Sequence, residues 1–298
     1  MIGLGTIGYG RNGNFGENHF QAISDSDIEL VAVVESEKKR ALEFSNKTQI
    51  PAFLQISEVP DELTYDLAVI SSPAYTHDEI VRYILQTRPE TSIFCEKPFA
   101  ISAETSQMLL FSDNQKNGHR RVWVDYTRQF SPGYLRLKEQ ILDKNFLGGE
   151  VRYNYGLERS CSHYIRIAIG LFGKPISLVS LETRTSNPSF TLEFSDERIL
   201  SFVGVGDLGV RIADFTLLFA DAHLIITDAD VARLYNEGHY ESPVWSNDLR
   251  DPEVYSLRGG LKNFYSMYQA SSLDSIAESL ELDILTTHLI SEIHEHSG

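Results

Sequence analysis

An acid, a base and a proline stand together at Glu96-Lys97-Pro98, directly after the apolar run Ser92-Ile93-Phe94-Cys95. A short apolar run bounded by turn residues reads as a buried strand. Pro98 disfavours helical geometry at Lys97, so the charged pair belongs to a turn at that strand's carboxyl end. Open α/β sheets bind ligands at that edge. An ammonium there is costly to bury without a partner or a task. These residues predict that Lys97 points into a reaction site and that a dinucleotide lies beside it.

A dinucleotide needs a phosphate loop. Three registers of a glycine motif compete near the amino terminus. Gly3, Gly5 and Gly8 have too little chain before them for a strand, and the register ending at Gly16 has Arg11 where its first glycine should be. Gly8, Gly10 and Gly13, with Arg11 and Asn12 between them, have a candidate strand before and a candidate helix after. Their roles would be the tight turn, the close approach of backbone to pyrophosphate, and helix–strand packing. The helix N-terminus would then offer free N–H groups to the phosphates.

The next apolar run, Ile28 to Val34, ends in Glu35, about 20 residues past the glycines, where a carboxylate binds the adenosine ribose. A carboxylate repels a 2′-phosphate, so NAD is expected and NADP stays open. The basic triplet Lys38-Lys39-Arg40 reads as an exposed helix face. Tyr65 to Ile70 is a further buried run, and it ends in Ser71-Ser72-Pro73 with His77 beyond. That turn also lies at the ligand edge, which makes Ser71, Pro73, His77 and Glu96 cofactor-binding candidates with Lys97.

Strands alternating with helices up to Val122-Trp123-Val124 predict a doubly wound parallel sheet, a Rossmann domain over 1–124. From Asp125 the pattern changes. A polar, aromatic loop holds Tyr126 and Arg128, a helix follows from Gly133 to Asp143, and Leu147-Gly148-Gly149-Glu150 reads as a turn. Ser160 to Phe172 reads as a helix stopped by Gly173 and Pro175. Successive strands between Ile176 and Thr227 then predict a C-terminal α/β domain, 125–298, on an open, mostly antiparallel sheet. Residues 236–260 read as irregular, and two closing helices as Leu261–Gln269 and Leu282–Glu295. Such a sheet can leave one face for self-association as a homodimer or homotetramer.

The chain has 298 residues and a formal net charge of -16. That balance argues against nucleic acid and against an anionic membrane surface. Two cysteines, Cys95 and Cys161, are too few for a disulfide scaffold. With no signal-peptide pattern and no spanning run, the expected location is cytoplasmic. No cluster has metal-ligand spacing, so no metal is expected.

The glycine loop, the Ser71-Ser72-Pro73 turn with His77, Glu96-Lys97-Pro98, the Tyr126–Pro132 loop and the run to Leu171-Phe172-Gly173 occur in the order seen in one family. The chain resembles the Gfo/Idh/MocA oxidoreductases, named after glucose–fructose oxidoreductase and inositol dehydrogenase. The resemblance implies NAD or NADP, a sugar or polyol substrate, and a lysine, here Lys97, beside the nicotinamide and the substrate hydroxyl. It implies His163 as the base that takes the hydroxyl proton, since imidazole titrates near working pH. Tyr126 and Arg128 would line the substrate, and Glu96 would orient the turn.

The chain departs from the family pattern at three places. His19 lies six residues after Gly13 rather than three, and the two family acids flanking His163 are Arg159 and Arg166. An arginine cannot serve as a base, but it can clamp an anion. Arg159 is therefore a candidate for an acidic group of the substrate. Tyr155, Tyr164 and Cys161 read as packing. Two other readings remain: a biliverdin-reductase-like enzyme, and a non-catalytic dinucleotide-binding sensor that has lost the family's acids.

Overall fold

The computed structural model describes residues 1–4, 19–20, 22–23, 26–99, 101–102, 104–109, 122–182, 186–206, 209–236, 242–248, 257–270 and 280–295. The glycine loop, with Gly8, Gly10, Arg11, Asn12 and Gly13, lies outside them, as does most of the helix expected after Ala103. The chain divides into two compact units, one of Met1–Tyr126 with Leu257–Glu281, the other of Thr127–Ser256 with Leu282–Gly298.

In the first unit the strands are β1 (Ile2–Leu4), β2 (Ala32–Val34), β3 (Ala52–Phe53), β4 (Leu67–Ile70), β5 (Ser92–Cys95) and β6 (Val122–Val124). Helices α1 (Lys38–Thr48) and α2 (His77–Thr87) fall between them. The sheet runs β3-β2-β1-β4-β5-β6 and every pairing is parallel. β4 and β5 are apolar almost throughout and buried, as strands covered on both faces must be. The strand order reverses between β1 and β4, the position at which such sheets bind ligands.

Register decides what meets at that edge. Leu4 pairs with Val34 and with Ile70, Ile70 with Cys95, and Cys95 with Val124. The residues that follow, Glu35, Ser71, Glu96 and Asp125, therefore leave the sheet in one row.

The first unit also contains a helix that the expected boundary at 124/125 excluded. α5 (Leu257–Gln269) lays an aromatic stripe on the β5–β6 side of the sheet. Phe264 stacks on Phe94 with ring centroids 3.7 Å apart, and Tyr268 meets Trp123 edge-on. The parallel sheet ends at β6, and burial of these rings holds the returning helix there. The helix Leu257–Gln269 is thus grouped with the first unit although it follows the second unit's strands in the chain.

The second unit is an eight-stranded sheet ordered β14-β13-β12-β11-β7-β10-β9-β8. Its strands are β7 (Phe146–Tyr153), β8 (Ser177–Glu182), β9 (Ser189–Glu193), β10 (Ile199–Gly204), β11 (Ala213–Phe219), β12 (Ala222–Thr227), β13 (Val231–Asn236) and β14 (Trp245–Asp248). Only β7–β10 is parallel among these pairings. Helices α3 (Pro132–Ile141), α4 (Ser162–Phe172) and α6 (Leu280–Glu295) complete the fold. Phe190, Leu192, Phe202, Phe215 and Leu217 alternate onto one sheet face and form the core with Ile165 and Ile169 of α4.

Two expectations change here. Gly148-Gly149 is not a turn but the middle strand of the sheet, paired to both β10 and β11. A Cβ on Gly149 would collide with the Thr216 carbonyl, and one on Gly148 with that of Ile199. Glycine marks close backbone approach here. β14 falls within the stretch read as irregular and closes the sheet edge by pairing with β13.

Candidate functional site

The first unit carries three features along the row of strand ends. At the β2 end, Glu35 is buried at 3% exposure. Its Oε1 accepts the Glu37 N–H at 2.8 Å and Arg40 Nη2 at 3.2 Å. Its Oε2 is buried and makes no hydrogen bond. Glu35 lines a cavity of about 560 Å³ with Ser36, Arg40, Ile56, Pro73 and Tyr75. A buried carboxylate oxygen left without a donor is expensive unless a ligand hydroxyl supplies one. A ribose diol fits that need, so these residues suit a dinucleotide.

Arg40 corrects the reading of the basic triplet as a uniform exposed face. Lys39 is exposed, but Arg40 lines the cavity and is paired to Glu35 and to Glu37, the latter at 3.2 Å. One guanidinium held by two carboxylates is a poor 2′-phosphate site as it stands. Glu35→Ala is expected to weaken NAD and, by releasing Arg40 from one partner, to improve NADP relative to NAD by roughly tenfold or more. Titrating both cofactors by intrinsic fluorescence checks it, and equal losses would remove the ribose role.

At the β4 end, Ser71-Ser72-Pro73 enters a single 3₁₀ turn, Ala74–Thr76, closed by Ser72 Oγ against Thr76 Oγ1 at 2.6 Å. His77 follows at 1% exposure. Its Nε2 lies 2.8 Å from the Ser72 carbonyl and its Nδ1 3.0 Å from the Pro98 carbonyl. Burial pushes its pKa below the usual histidine range, against the pull of those two carbonyls. Each ring nitrogen thus faces a backbone carbonyl, and the neutral ring donates its single N–H to one of the two. The ring thereby links the Ser72 turn to the Lys97-Pro98 turn.

At the β5 and β6 ends, Glu96 is buried at 6% and Asp125 at 2%. Lys97 is half-buried, and its own N–H donates to Glu96 Oε2 at 3.3 Å. His19 comes in from the chain before β2, 4% exposed, with Nε2 3.5 Å from Glu96 Oε1 and 3.8 Å from Asp125 Oδ2. Its Nδ1 is 2.8 Å from Tyr265 Oη on α5. Burial raises the Glu96 pKa to about 7, with the Lys97 charge and a hydrogen bond from Asp125 opposing. Asp125 and Tyr265 were not foreseen as site residues. Asp125 follows the same pattern as Glu35 and Glu96, an acid directly after a short apolar strand, and that pattern could have revealed it. Nothing local marks Tyr265.

In the second unit, His163 lies in the first turn of α4 and is buried at 8%. A π-helical turn, Leu157–Cys161, leads into it. Such turns recur at functional sites. Just before it, Tyr155 has φ 69° and Gly156 φ 84°. Tyr155 is not packed as expected. It is 42% exposed, with the Arg159 guanidinium 5.8 Å from its ring centroid. Tyr164 and Cys161 are packing residues at 2% and 0% exposure.

Arg128 sits 5.6 Å from the Tyr164 ring centroid, with Tyr134 and Asp230 nearby. Tyr126, in the first unit, is 1% exposed. Arg166 is not a surface anion clamp. It is 2% exposed, with Nε 2.5 Å from Oδ1 of Asp283 and Nη2 3.2 Å from Gln129 Oε1.

Residues 2–126 match the model of the oxidoreductase family with an NAD-binding Rossmann fold, GFO_IDH_MocA. Over this domain the chain is similar to the Gfo/Idh/MocA oxidoreductases. An inositol 2-dehydrogenase of Salmonella paratyphi B is 26% identical over 152 residues, 50% of this chain and 42% of that protein. The match thus spans less than half the relative's length. Among solved structures, a dehydrogenase from Chromobacterium violaceum superposes with a TM-score of 0.80 at 17% identity, covering 99% of this chain and 94% of that one. An inositol dehydrogenase homolog from Azotobacter vinelandii, complexed with NADH and myo-inositol, gives 0.77 at 14% identity over 99% and 94%. At these identities the likeness concerns the fold, and it extends through both units. Among the described residues, no helix is long and apolar enough to cross a membrane.

Proposed function

We propose that this Gfo/Idh/MocA-like protein is an NAD-dependent dehydrogenase acting on a secondary hydroxyl of a sugar, polyol or nucleotide-linked sugar. The observation that carries the reading is the shared row of strand ends, where a buried ribose-seeking carboxylate, Glu35, and an amine, Lys97, occupy one edge of a parallel sheet. The dinucleotide would supply the hydride acceptor. Glu35 would hold its adenosine ribose, and Ser71 and Pro73 would border it at the β4 turn. Lys97 would donate a hydrogen bond to the reacting oxygen and stabilise charge there as the carbonyl forms. His163 would take the hydroxyl proton, and Arg159 on Tyr155 would meet an anionic substituent. Arg166 takes no part in this reading, since it is paired with Asp283.

The test is a panel of polyols, sugars and nucleotide sugars with NAD or NADP, followed by the absorbance of reduced nicotinamide. Turnover with at least one carbinol substrate, faster with NAD, is expected. Tight dinucleotide binding with no turnover across the panel would favour the sensor reading.

For self-association we propose the second sheet's open face. Gly148 pairs with both Ile199 and Leu218, so these two share a face, and they are 44% and 47% exposed. Sedimentation of wild type and Leu218→Glu distinguishes a dimer or tetramer from a monomer.

A further inference from the structure

Among the described residues, one set of histidine and acid side chains converges closely enough to share an ion: His19, Glu96 and Asp125, all in the first unit. They are 4%, 6% and 2% exposed. One donor atom of each lies within 4.8 Å of the others. They come from the chain before β2 and from the ends of β5 and β6, so no spacing along the sequence marks the set.

Two of the donor atoms lack a hydrogen bond. His19 Nε2 and Glu96 Oε1 are both buried in that state. Nε2 stands 3.5 Å from Glu96 Oε1 and 3.8 Å from Asp125 Oδ2. Those separations are long for N–H···O bonds. They come close to the separation of neighbouring donors around a tetrahedral ion, roughly 3.4 Å for bonds of about 2.0–2.2 Å.

Orientation agrees with spacing. Glu96 Oε2 accepts the Lys97 N–H, which leaves Oε1 for the cluster. His19 Nδ1 lies 2.8 Å from Tyr265 Oη. With the ring proton on Nδ1 and donated to that oxygen, Nε2 presents a lone pair to the two acids. A ligating imidazole is ordinarily held by such a partner on its other nitrogen. The rings of Phe94 and Tyr265 wall the imidazole edge-on, with centroids 5.5 Å and 6.2 Å from it. Charge points the same way. A neutral imidazole and two carboxylates sum to two negative charges, and buried charge persists where it is paired or coordinates a metal.

We propose that His19 Nε2, Glu96 Oε1 and Asp125 Oδ2 bind a divalent transition-metal ion, zinc being the best fit, and that Tyr265 orients the imidazole. Mixed nitrogen and oxygen donors favour such an ion over magnesium, which takes oxygen ligands and keeps its water. The ion fastens the segment ahead of β2 to the ends of β5 and β6, next to Lys97. The site goes beyond the dehydrogenase reading and does not depend on it.

The full chain without an affinity tag, stripped of metal by a chelator, is titrated with zinc by calorimetry and with cobalt(II) by visible absorption. One zinc per chain is expected, with micromolar or tighter affinity. Cobalt should give the visible band of a tetrahedral site without thiolate charge-transfer absorption, which separates it from binding at Cys95 or Cys161. His19→Ala and Asp125→Asn should each abolish stoichiometric binding. Tyr265→Phe should weaken it by roughly 10-fold to 100-fold. His294→Ala, which removes an exposed imidazole beside Glu158, should bind as wild type does.

A wild-type chain that takes up no stoichiometric zinc overturns the proposal. So does a thiolate signature in the cobalt spectrum, zinc retained by both His19→Ala and Asp125→Asn, or zinc lost with His294. The wild-type spectrum needs no variant, so a substitution that fails to fold does not shelter the idea. Zinc binding in a protein that turns over nothing leaves the ion site standing and removes the dehydrogenase. Turnover without zinc binding does the reverse.

Discussion

Lys97→Ala is expected to lower turnover by roughly 10²–10⁴-fold, the range for loss of a positioned proton-transfer or charge-stabilising group. NAD affinity should change little, because Glu35 and the cavity beside it lie at the other end of the row of strands. Lys97→Arg should not rescue. A guanidinium does not deprotonate at working pH, and its planar fork does not fit the site of a compact ammonium. Steady-state rates with the best substrate, set beside a fluorescence titration of NAD, separate the two effects. A Lys97→Ala enzyme with wild-type kcat would remove the amine from the chemistry, and equal loss of NAD affinity would make Lys97 a cofactor ligand only.

The second large effect concerns stability. Arg166 and Asp283 are an almost fully enclosed ion pair joining α4 to α6. Removing one partner strands the other charge in the interior, at a cost of about 3–5 kcal/mol. Arg166→Met is therefore expected to destabilise the second unit by about that amount, measured as a drop in denaturant midpoint. The double variant Arg166→Met, Asp283→Leu should recover most of the loss, since a well-packed apolar pair of similar volume often does as well as a buried ion pair. A single variant as stable as wild type would show that water reaches Asp283. The same pair explains why an arginine can stand where the family carries an acid: Asp283 brings a carboxylate to that helix from a position 117 residues away.

Much of the first unit was legible because its strands announce themselves. Apolar runs ending in Glu35, Ser71 and Glu96 have the length and composition of strands buried on both faces, and the polar residue after each marks the edge. The elements of the second unit were less legible where the signal was ambiguous. Gly148-Gly149 has the composition of a turn, and only the flanking strands β10 and β11 make it a strand. β14 contains Ser246, Asn247 and Asp248, with little of the pattern of a strand, and its pairing with β13 is what orders it. Tyr155 reads as one more core aromatic until its positive φ turns the ring outward under Arg159.

The sequence by itself determined that a parallel, doubly wound domain precedes a mostly antiparallel one, and that a carboxylate and an amine follow two strands of the first. Those features are local: strand period, turn residues and the polar group that follows are all written within a few positions of one another. Tertiary structure alone decided which buried charges are neutralised and by which partner. His19 meets Tyr265 across 246 positions, and His77 reaches the Pro98 carbonyl across 21. Whether a buried charge is a tool or a strut depends on the partner that desolvates with it, and separation along the chain carries no record of that partner.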